Sequence, residues 1–415
     1  MEVRDRGFSK YTRLDRALEL ISSEVKEIGS ETVPFHESGG RVLAKKCKSK
    51  SDVPPFDRAA MDGYAIQAED SFGADETNPK EVQVIDSIEI GVSPDVQISE
   101  GDAAKIATGA PMPEGADAVI MLEETQRENS KLKILAPVSP GKNVSSKGED
   151  VRAGQKILEA GRRLHPWDVG MLASTGNTKV QVRKRPVVGV AVTGDELKKP
   201  GESLDSAQIT EANSHALEVA INREGGTSAR IGKIPDDIEA IEEALKENTH
   251  RDMLIFTGGT SVGARDLVPD AISNSGRLVF HGVSIRPGGP SAFGTVKGTP
   301  IFSLPGFPTA AHISFEMLVR PALRMMQGRP WNKIRTELNA ELERKISSKL
   351  GRSDVVRVKV KSSEKGYRTE PIRVTGSSIL STMTEADGIV VVPEDKEGFS
   401  EGKVVKVGLL NRPVC

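Results

Sequence analysis

The sequence predicts a multidomain α+β protein with a central three-layer α/β domain, two small β-rich domains and a composite N-terminal domain. Three observations carry this prediction. The chain has 415 residues, enough for roughly two to four domains. Apolar strands alternate with helical patterns between residues 187 and 326, which is typical of a parallel sheet covered by helices. Short β-like runs broken by Gly, Pro and Asp flank that block.

The N-terminal part begins with an amphipathic helix within residues 11–28, because Leu14, Leu18, Ile21 and Val25 recur at helical spacing. We assign residues 1–45 and 140–180 to the composite N-terminal domain and residues 46–139 to an inserted β-rich domain. Three runs predict strands in the inserted domain: Val82–Ile85, Ala103–Ala107 and Ala118–Leu122.

The central α/β domain is predicted to span residues 181–328, and the C-terminal β domain residues 329–415. Helices are expected at about 211–223, 238–248 and 309–326. The predicted strands of the central domain, of which the fourth is an edge strand, are Val187–Val192, Ser228–Ile231, Met253–Phe256, Arg277–His281 and Pro300–Ser303. Those of the C-terminal domain are Val355–Val360, Ile372–Val374, Gly388–Val392 and Val404–Leu409.

The composition excludes several classes of protein. A formal net charge of -2 argues against a general nucleic-acid binder, which would carry a basic excess. Cys47 and Cys415 are the only cysteines, so we expect neither a disulfide framework nor a Cys-based zinc site. The charged N-terminus lacks an apolar signal region and no apolar run reaches membrane-spanning length, so we expect a cytoplasmic protein without a membrane partner.

A glycine loop with hydroxyl side chains follows one apolar strand of the central domain. The stretch Met253–Asp266 runs from the strand through the loop to an acid. Backbone N–H groups of such a loop bind phosphate. The Walker and Rossmann glycine spacings are absent, so the loop alone could serve packing instead. The predicted phosphate contacts are Gly258, Gly259, Thr260 and Ser261.

A second strand end carries related chemistry. The strand from Val187 ends on Thr193, Gly194 and two acids, and a further acid pair opens the helix after Pro235. Acids at such places could cap a helix or hold magnesium, which prefers a few carboxylates with waters and phosphate oxygens. Asp266 beside a phosphate loop would repel the anion, so a metal between them is the economical interpretation. We therefore expect a crevice at the carboxyl edge of the sheet.

Seven segments, in this order, resemble the molybdopterin molybdenumtransferase family, whose animal members include the gephyrin C-terminal domain. Singly they are weak to moderate signals, and together they cover nearly the whole chain. They are DVPPFDRAAMDGYA (Asp52–Ala65), IATGAPMPEGADAVIM (Ile106–Met121), GEDVRAG (Gly148–Gly154), VTGDEL (Val192–Leu197), TGGTSVGARD (Thr257–Asp266), SIRPGGPSAFG (Ser284–Gly294) and LPGFPTAA (Leu304–Ala311).

The resemblance implies insertion of molybdate, or tungstate, into adenylylated molybdopterin with release of AMP. It also implies Mg²⁺ as cofactor and an elongated homodimer whose active site is shared between subunits. The α/β domain is similar to that of the adenylyltransferase acting one step earlier, and contact with that enzyme is possible.

Residue roles follow from matching positions in the family motifs. The catalytic acids would be Asp62, Asp150, Glu196, Asp236 and Asp266, of which Glu196, Asp236 and Asp266 would hold the metal. Asp62 in Asp-Gly could instead be a simple turn residue, and Asp150 a solvated loop acid. Substrate binding would fall to Thr193, Gly194, Gly258, Gly259, Thr260, Ser261, Arg286, Pro305, Gly306, Thr309, Arg352 and Ser377.

Three positions depart from the family pattern. Gly289 stands where the family has the second lysine of Lys-Pro-Gly-Lys-Pro, while Arg286 stands for the first. Ala310 and Ala59 replace serines, and Thr309 could supply the hydroxyl lost at Ala310. A diverged paralogue that binds the nucleotide-pterin without efficient metal insertion is therefore an alternative. A molybdopterin adenylyltransferase is another, although the extra β domains and the MDGYA and TGAPMP motifs disfavour it.

Overall fold

The structure is a computed structural model that describes residues 11–258, 267–331, 335–364, 366–372 and 378–410. The chain divides into two compact units. The α/β unit comprises Met1–Glu31, Gly40–Ala44 and Val182–Cys415, and the insert unit comprises Thr32–Gly39 and Lys45–Gln181. The finer division into four domains stays a prediction.

The insert unit is built on a six-stranded sheet. In spatial order its strands are Ala118–Met121, Gly63–Ile66, Asp102–Ile106, Lys80–Ile88, Lys131–Ile134 and Thr125–Glu128. All four residues of Gly63–Ile66 are buried, because Tyr64 and Ile66 pack into one apolar core and Ala65 into another on the opposite face. The three runs predicted as strands are confirmed.

Shorter elements complete the insert unit and its ends. Its α-helix is Pro166–Ser174, and its short 3₁₀ turns are Phe35–Glu37, Ala68–Ser71 and Leu122–Glu124. The remaining strand pairs are Cys47–Lys48 with Lys156–Leu158, Arg58–Ala59 with Val144–Ser145, and Ser30–Pro34 with Lys179–Arg183.

The α/β unit contains a second six-stranded sheet. In chain order its strands are β1 Val187–Thr193, β2 Thr227–Ile234, β3 Met253–Thr257, β4 Arg277–His281, β5 Ala292–Val296 and β6 Thr299–Leu304. Their spatial order is β2-β1-β3-β6-β5-β4. The strands β2, β1, β3 and β6 run parallel, whereas β5 is antiparallel to both of its neighbours. Predicted strand positions and the edge location of β4 are confirmed.

Strand β5 escaped the sequence interpretation, and it makes the sheet mixed rather than wholly parallel. It forms a tight hairpin with β6, in which Val296 faces Thr299 and the two turn residues, Lys297 and Gly298, both have positive φ angles of 50° and 84°. Position 294 of this strand requires glycine, because a Cβ there would lie 2.5 Å from the Arg277 carbonyl oxygen.

Helices cover both faces of this sheet, as expected for three layers. Val190 and Ile255 pack into one core, whereas their neighbours Ala191 and Leu254 pack into a second core on the other face. The predicted helix 309–326 is confirmed, with a π-helical turn at Phe315–Val319. The α-helices of the unit up to that point are Leu14–Glu24, Asn213–Arg223, Ile238–Asn248, Leu267–Ser275, Pro308–Ser314 and Arg320–Met326.

The C-terminal strands pair into a closed ring of five strands around an apolar core. The predicted strand Ile372–Val374 was misplaced. The observed strand ends at Pro371 and Ile372 follows it, while residues 373–374 lie outside the described part. The ring strands are Glu337–Leu342, Ser353–Ser363, Gly366–Pro371, Gly388–Val392 and Val404–Leu409. Smaller elements of the unit are Leu197–Lys198 paired with Ile209–Thr210, Ile346–Ser347 paired with Gly398–Phe399, Ile285–Arg286 paired with Ser353–Asp354, and the helix Ser381–Thr384.

None of the described helices is both long enough and apolar enough to cross a membrane.

Candidate active site

A cavity of about 1040 Å³ lies in the α/β unit at the carboxyl ends of three parallel strands. Ligands of open α/β sheets bind at this edge. The cavity is lined by Thr193 and Gly194 after β1, Thr257 and Gly258 after β3, and Pro305 and Gly306 after β6. The predicted binding residues among them therefore meet in one place.

Close backbone contact at this edge requires glycine. Gly258 has a φ of 109°, and a Cβ there would lie 2.1 Å from the carbonyl oxygen of Thr193. A Cβ on Gly306 would be 3.4 Å from the Gly258 Cα. The three strand ends therefore approach one another more closely than side chains would permit. The predicted contacts Gly259, Thr260 and Ser261 lie outside the described residues.

Two predicted acids, Glu196 and Asp236, line the cavity. Oδ2 of Asp236 accepts a hydrogen bond from the backbone N–H of Asp195 at 3.3 Å, which links the loop after β1 to the loop after β2. The neighbouring Asp237 caps the following helix by accepting from the Ala240 N–H at 2.9 Å. The capping role and the cavity role of this acid pair are thus divided between its two members.

Gly194, in the loop after β1, leaves room for the Glu196 carboxylate. The Glu196 carboxylate lies 2.8 Å from the place where a Cβ of Gly194 would be. Among the described residues no group of three or more His, Cys, Asp or Glu side chains is placed to hold a metal, and the third predicted ligand, Asp266, lies outside them. Two cavity carboxylates nonetheless fit the donors that Mg²⁺ takes beside waters and phosphate oxygens.

Basic side chains occupy another part of the lining. Arg286, Lys349, Arg352 and Arg357 all line the cavity. Arg357 is only 2 % exposed. Burial lowers the pKa of its guanidinium, and the charge of Arg286 lowers it further. A buried guanidinium whose charge is disfavoured by burial and by a second guanidinium forms a natural site for an anion.

Arg352 is held at the cavity by an acid of the same strand region. Its Nε lies 3.0 Å from Oδ1 of Asp354, which is almost fully buried. The other carboxylate oxygen of Asp354 accepts from the Ser348 hydroxyl at 2.9 Å. The predicted residue Ser377 lies outside the described part of the chain.

Two of the three departures from the family pattern fall in the cavity lining, namely Gly289 and Ala310. Thr309 does not replace the hydroxyl missing at Ala310: it is fully buried, and its Oγ1 donates to the Ile379 carbonyl at 2.9 Å. It is absent from the residues that line the cavity, because successive helix residues point in different directions. The third departure, Ala59, is packed in an apolar core of the insert unit.

The predicted acids Asp62 and Asp150 belong to the insert unit, and both are exposed. Oδ1 of Asp62 accepts from the backbone N–H of Thr108 at 2.7 Å and from its hydroxyl at 2.8 Å. These two bonds lower the pKa of Asp62 and join the MDGYA and TGAPMP motifs. The Asp150 N–H donates to the Val53 carbonyl at 3.1 Å.

Asn213 and Phe307 are among the lining residues that the sequence reasoning did not single out. Nδ2 of Asn213 donates to Oγ1 of Thr257 at 3.1 Å and to the carbonyl of Gly306 at 2.8 Å. The signal for Asn213 was its place at the start of a helix that follows a loop, where a polar residue is usually interpreted as a cap.

A large cavity at the carboxyl edge of an α/β sheet, with carboxylates and guanidinium groups in its lining, is typical of an enzyme that binds a phosphate-bearing small molecule. Family comparisons agree with this class and make it specific. Three family models match in order: the MoeA N-terminal region (domain I and II) over residues 12–176, the probable molybdopterin binding domain over 189–325 and the MoeA C-terminal region (domain IV) over 339–410.

Relatives match along most of their length. The chain is 31% identical to the molybdopterin molybdenumtransferase of Bacillus subtilis, with 96% of this chain and 94% of the relative covered. It is 34% identical to molybdopterin molybdenumtransferase 2 of Mycobacterium tuberculosis, with 91% and 94% covered. The solved structure of the molybdopterin biosynthesis moeA protein from Pyrococcus horikoshii OT3 superposes with a TM-score of 0.84 at 36% identity, covering 96% of this chain and all of that one.

The chain belongs to the molybdopterin molybdenumtransferase (MoeA) family. It is an enzyme of this family with a role in molybdenum cofactor biosynthesis. The resemblance drawn from the sequence motifs, and the multidomain α+β fold, are thereby confirmed.

Proposed function

We propose that the protein inserts molybdate, or tungstate, into adenylylated molybdopterin and releases AMP, acting in the cytoplasm as a Mg²⁺-dependent homodimer. The observation that supports this most is the composition of one cavity, which offers Glu196 and Asp236 together with Arg286, Arg352 and Arg357. Such a reaction needs a place for a metal-bound pyrophosphate and a place for a tetrahedral dianion. Both kinds of donor are present.

The carboxylates take the metal in this proposal. Glu196 and Asp236 would bind Mg²⁺, with Asp266 as the third acid that the family pattern assigns. When bound, the metal withdraws charge from the phosphate oxygens as AMP leaves. The Asp195 N–H fixes the Asp236 carboxylate by its hydrogen bond, so that the carboxylate needs little reorientation.

The guanidinium groups take the oxyanion. Charge-assisted hydrogen bonds from Arg286, Arg352 and Arg357 would hold molybdate beside the dithiolene of the pterin. No covalent nucleophile is required, because the protein accelerates the reaction by aligning the two substrates and by placing donors where charge develops. Asp62 and Asp150 are the further acids assigned by the family motifs, which also motivate the proposed homodimer and contact with the preceding adenylyltransferase.

A second candidate function rests on a specific observation. Gly289 and Ala310 both line the cavity, and relative to the family pattern they remove one cation and one hydroxyl from it. A protein that binds the nucleotide-pterin but inserts metal poorly would have this lining. The two candidates differ in whether the oxyanion accelerates AMP release.

A single-turnover assay separates them. Purified protein is mixed with adenylylated molybdopterin and Mg²⁺, with and without molybdate, and released AMP and active cofactor are measured. Insertion predicts AMP release that depends on the oxyanion and yields active cofactor. Tight nucleotide binding with release that ignores molybdate would reject insertion in favour of the binding paralogue.

A further inference from the structure

The side-chain amide of Asn213 has a fixed orientation. Its Nδ2 donates to the carbonyl oxygen of Gly306 at 2.8 Å, and that oxygen can only accept. Its second donation, at 3.1 Å, goes to the Thr257 hydroxyl, whose own proton is used in a bond to the Pro305 carbonyl at 3.0 Å. Reversing the amide would break both bonds, so Oδ1 must be the remaining free end.

That free end is an acceptor in need of a donor. Asn213 lines the cavity and is 9 % exposed, and Oδ1 is buried without a hydrogen-bond partner in the described part of the protein. An unsatisfied buried acceptor carries a free-energy cost. A ligand that supplies an N–H group removes this cost, whereas a phosphate or molybdate oxygen would repel Oδ1. This corner therefore selects a different part of the substrate from the arginines.

An aromatic residue directly follows Gly306, whose carbonyl accepts a hydrogen bond from this amide. Phe307 follows Gly306, lines the cavity and is 58 % exposed. Aromatic residues make up only 4% of the sequence, and an exposed phenyl ring gains nothing from water. A planar heterocycle that stacks on the ring would cover it, and this contact favours binding.

We propose that Asn213 and Phe307 form a heterocycle site, in which Phe307 stacks on the ring system and Asn213 Oδ1 accepts a hydrogen bond from its exocyclic amino group. The inference deepens the proposed function and rests on it, because adenylylated molybdopterin carries two such ring systems, adenine and the pterin. Their shared chemistry is a flat ring bearing an exocyclic amino group on its edge.

The test is a set of calorimetric binding measurements on the full chain with matched ligand pairs. AMP is compared with purine riboside 5′-monophosphate, which lacks only the amino group, and pterin is compared with lumazine, which has a carbonyl in its place. Inorganic pyrophosphate serves as the ring-free ligand. We expect the amino form of one pair to bind about tenfold more tightly, and the pair that discriminates identifies the ring.

Variants connect the discrimination to the two residues. Asn213→Ala is expected to bring the affinity ratio of the discriminating pair close to one. Phe307→Ala is expected to weaken both members of the pair by about tenfold, with recovery in Phe307→Tyr, while the affinity for pyrophosphate stays unchanged in every variant. If Asn213→Ala does not fold, the ligand pairs with wild-type protein and the Phe307 variants still decide the question.

Three outcomes would overturn the site: no discrimination in either pair, discrimination that survives Asn213→Ala in a folded protein, or an equal loss of pyrophosphate binding. None of these depends on turnover. Failure of molybdate-dependent AMP release with intact ring discrimination would reject the proposed function alone.

Discussion

Two hydrogen bonds from Thr108 favour the ionised form of Asp62. The backbone N–H of Thr108 lowers the pKa of the Asp62 carboxyl, and the Thr108 hydroxyl lowers it further. The carboxylate therefore stays charged at lower pH than an ordinary aspartate would. The Asp-Gly sequence alone allowed Asp62 to be a simple turn residue, but its carboxylate has two defined hydrogen-bond donors.

Thr108→Val tests this environment. The variant loses the hydroxyl bond but keeps the backbone bond, so the pKa of Asp62 should rise. If Asp62 acts as a carboxylate in the reaction, the acid limb of the pH profile of AMP release moves to higher pH. Thr77→Val is the matched control, because Thr77 makes an equivalent hydroxyl bond to Asp75, an acid without a proposed role. If wild type and Thr108→Val have the same pH profile of AMP release, ionisation of Asp62 does not control the reaction.

Gly289 is the departure most easily reversed. A Cβ there meets nothing closer than the Ile285 carbonyl oxygen at 3.4 Å, and Gly289 has no positive φ. Gly289→Lys should therefore fold normally and lower the molybdate concentration needed for half-maximal AMP release by about fivefold. Gly289→Gln supplies similar bulk without charge and should show no gain. A loss of affinity in the lysine variant would mean that the oxyanion binds elsewhere.

Residue chemistry was predictable only where it follows from chain position. The acid pair before the helix at Ile238 was expected to supply a cap, and Asp237 is that cap. Thr309 was expected to offer its hydroxyl to the substrate, but the bond to Ile379 joins residues about seventy positions apart. No local pattern encodes such a partner. Asn213 was missed for the same reason, since its amide bonds to two distant strand ends.

At the scale of elements, the meeting of β1, β3 and β6 creates the site. Gly258 has no room for a Cβ, because an ideally placed Cβ would lie 2.1 Å from the Thr193 carbonyl oxygen. Gly258→Ala should therefore separate β3 from β1, destabilise the protein by about 3 kcal/mol and abolish pyrophosphate binding. Calorimetric unfolding and ligand titration measure both effects.

Gly298 provides the control for that substitution. It also has a positive φ, of 84°, but no atom lies within 4 Å of its ideal Cβ. Gly298→Ala should cost about 1 kcal/mol from backbone strain alone and leave ligand binding intact. Indistinguishable effects of the two alanines would show that the close approach of the strands is unimportant.

Element prediction succeeded where periodicity is strong and failed where turns interrupt it. The parallel strands β1 and β3 are nearly continuous apolar runs and were placed well. Strand β5 follows a Pro-Gly-Gly-Pro segment and contains Gly294, so its β character is hidden from a local pattern. The strand Gly366–Pro371 is composed mostly of polar residues and was placed too late in the chain.

Across the whole α/β unit, a buried ion cluster ties distant parts of the chain together. Nε of Arg320 donates to Glu224 at 2.8 Å, and Arg329 lies 3.6 Å from the same carboxylate. Burial acts to raise the pKa of Glu224, but the charges of Arg320, Arg329 and Arg335 outweigh it and the net pKa is lowered. The cluster joins the helix ending at Arg223 with the helix containing Arg320.

Glu224→Gln should destabilise the protein by about 3 kcal/mol at neutral pH, because it leaves buried guanidinium charge uncompensated. A lowered carboxyl pKa contributes stability that is present above the unfolded-state pKa and is lost as pH falls through the folded-state pKa. Denaturant unfolding from pH 7 downward should therefore show the variant losing less stability than wild type. Glu218→Gln, which breaks an exposed pair with Arg230, should cost under about 1 kcal/mol. Parallel pH curves for Glu224→Gln and wild type would contradict the coupling.

The central claim is that one cavity holds a metal–phosphate half and an oxyanion half. Single-turnover AMP release, titrated with Mg²⁺ and with molybdate in Asp236→Asn and Arg286→Ala, tests it most directly. We predict that Asp236→Asn raises the Mg²⁺ requirement with little change in that for molybdate, and that Arg286→Ala does the reverse, each by about tenfold or more. The division of the site would be contradicted if each variant changed the Mg²⁺ and molybdate requirements equally. It would also be contradicted if neither variant changed either requirement.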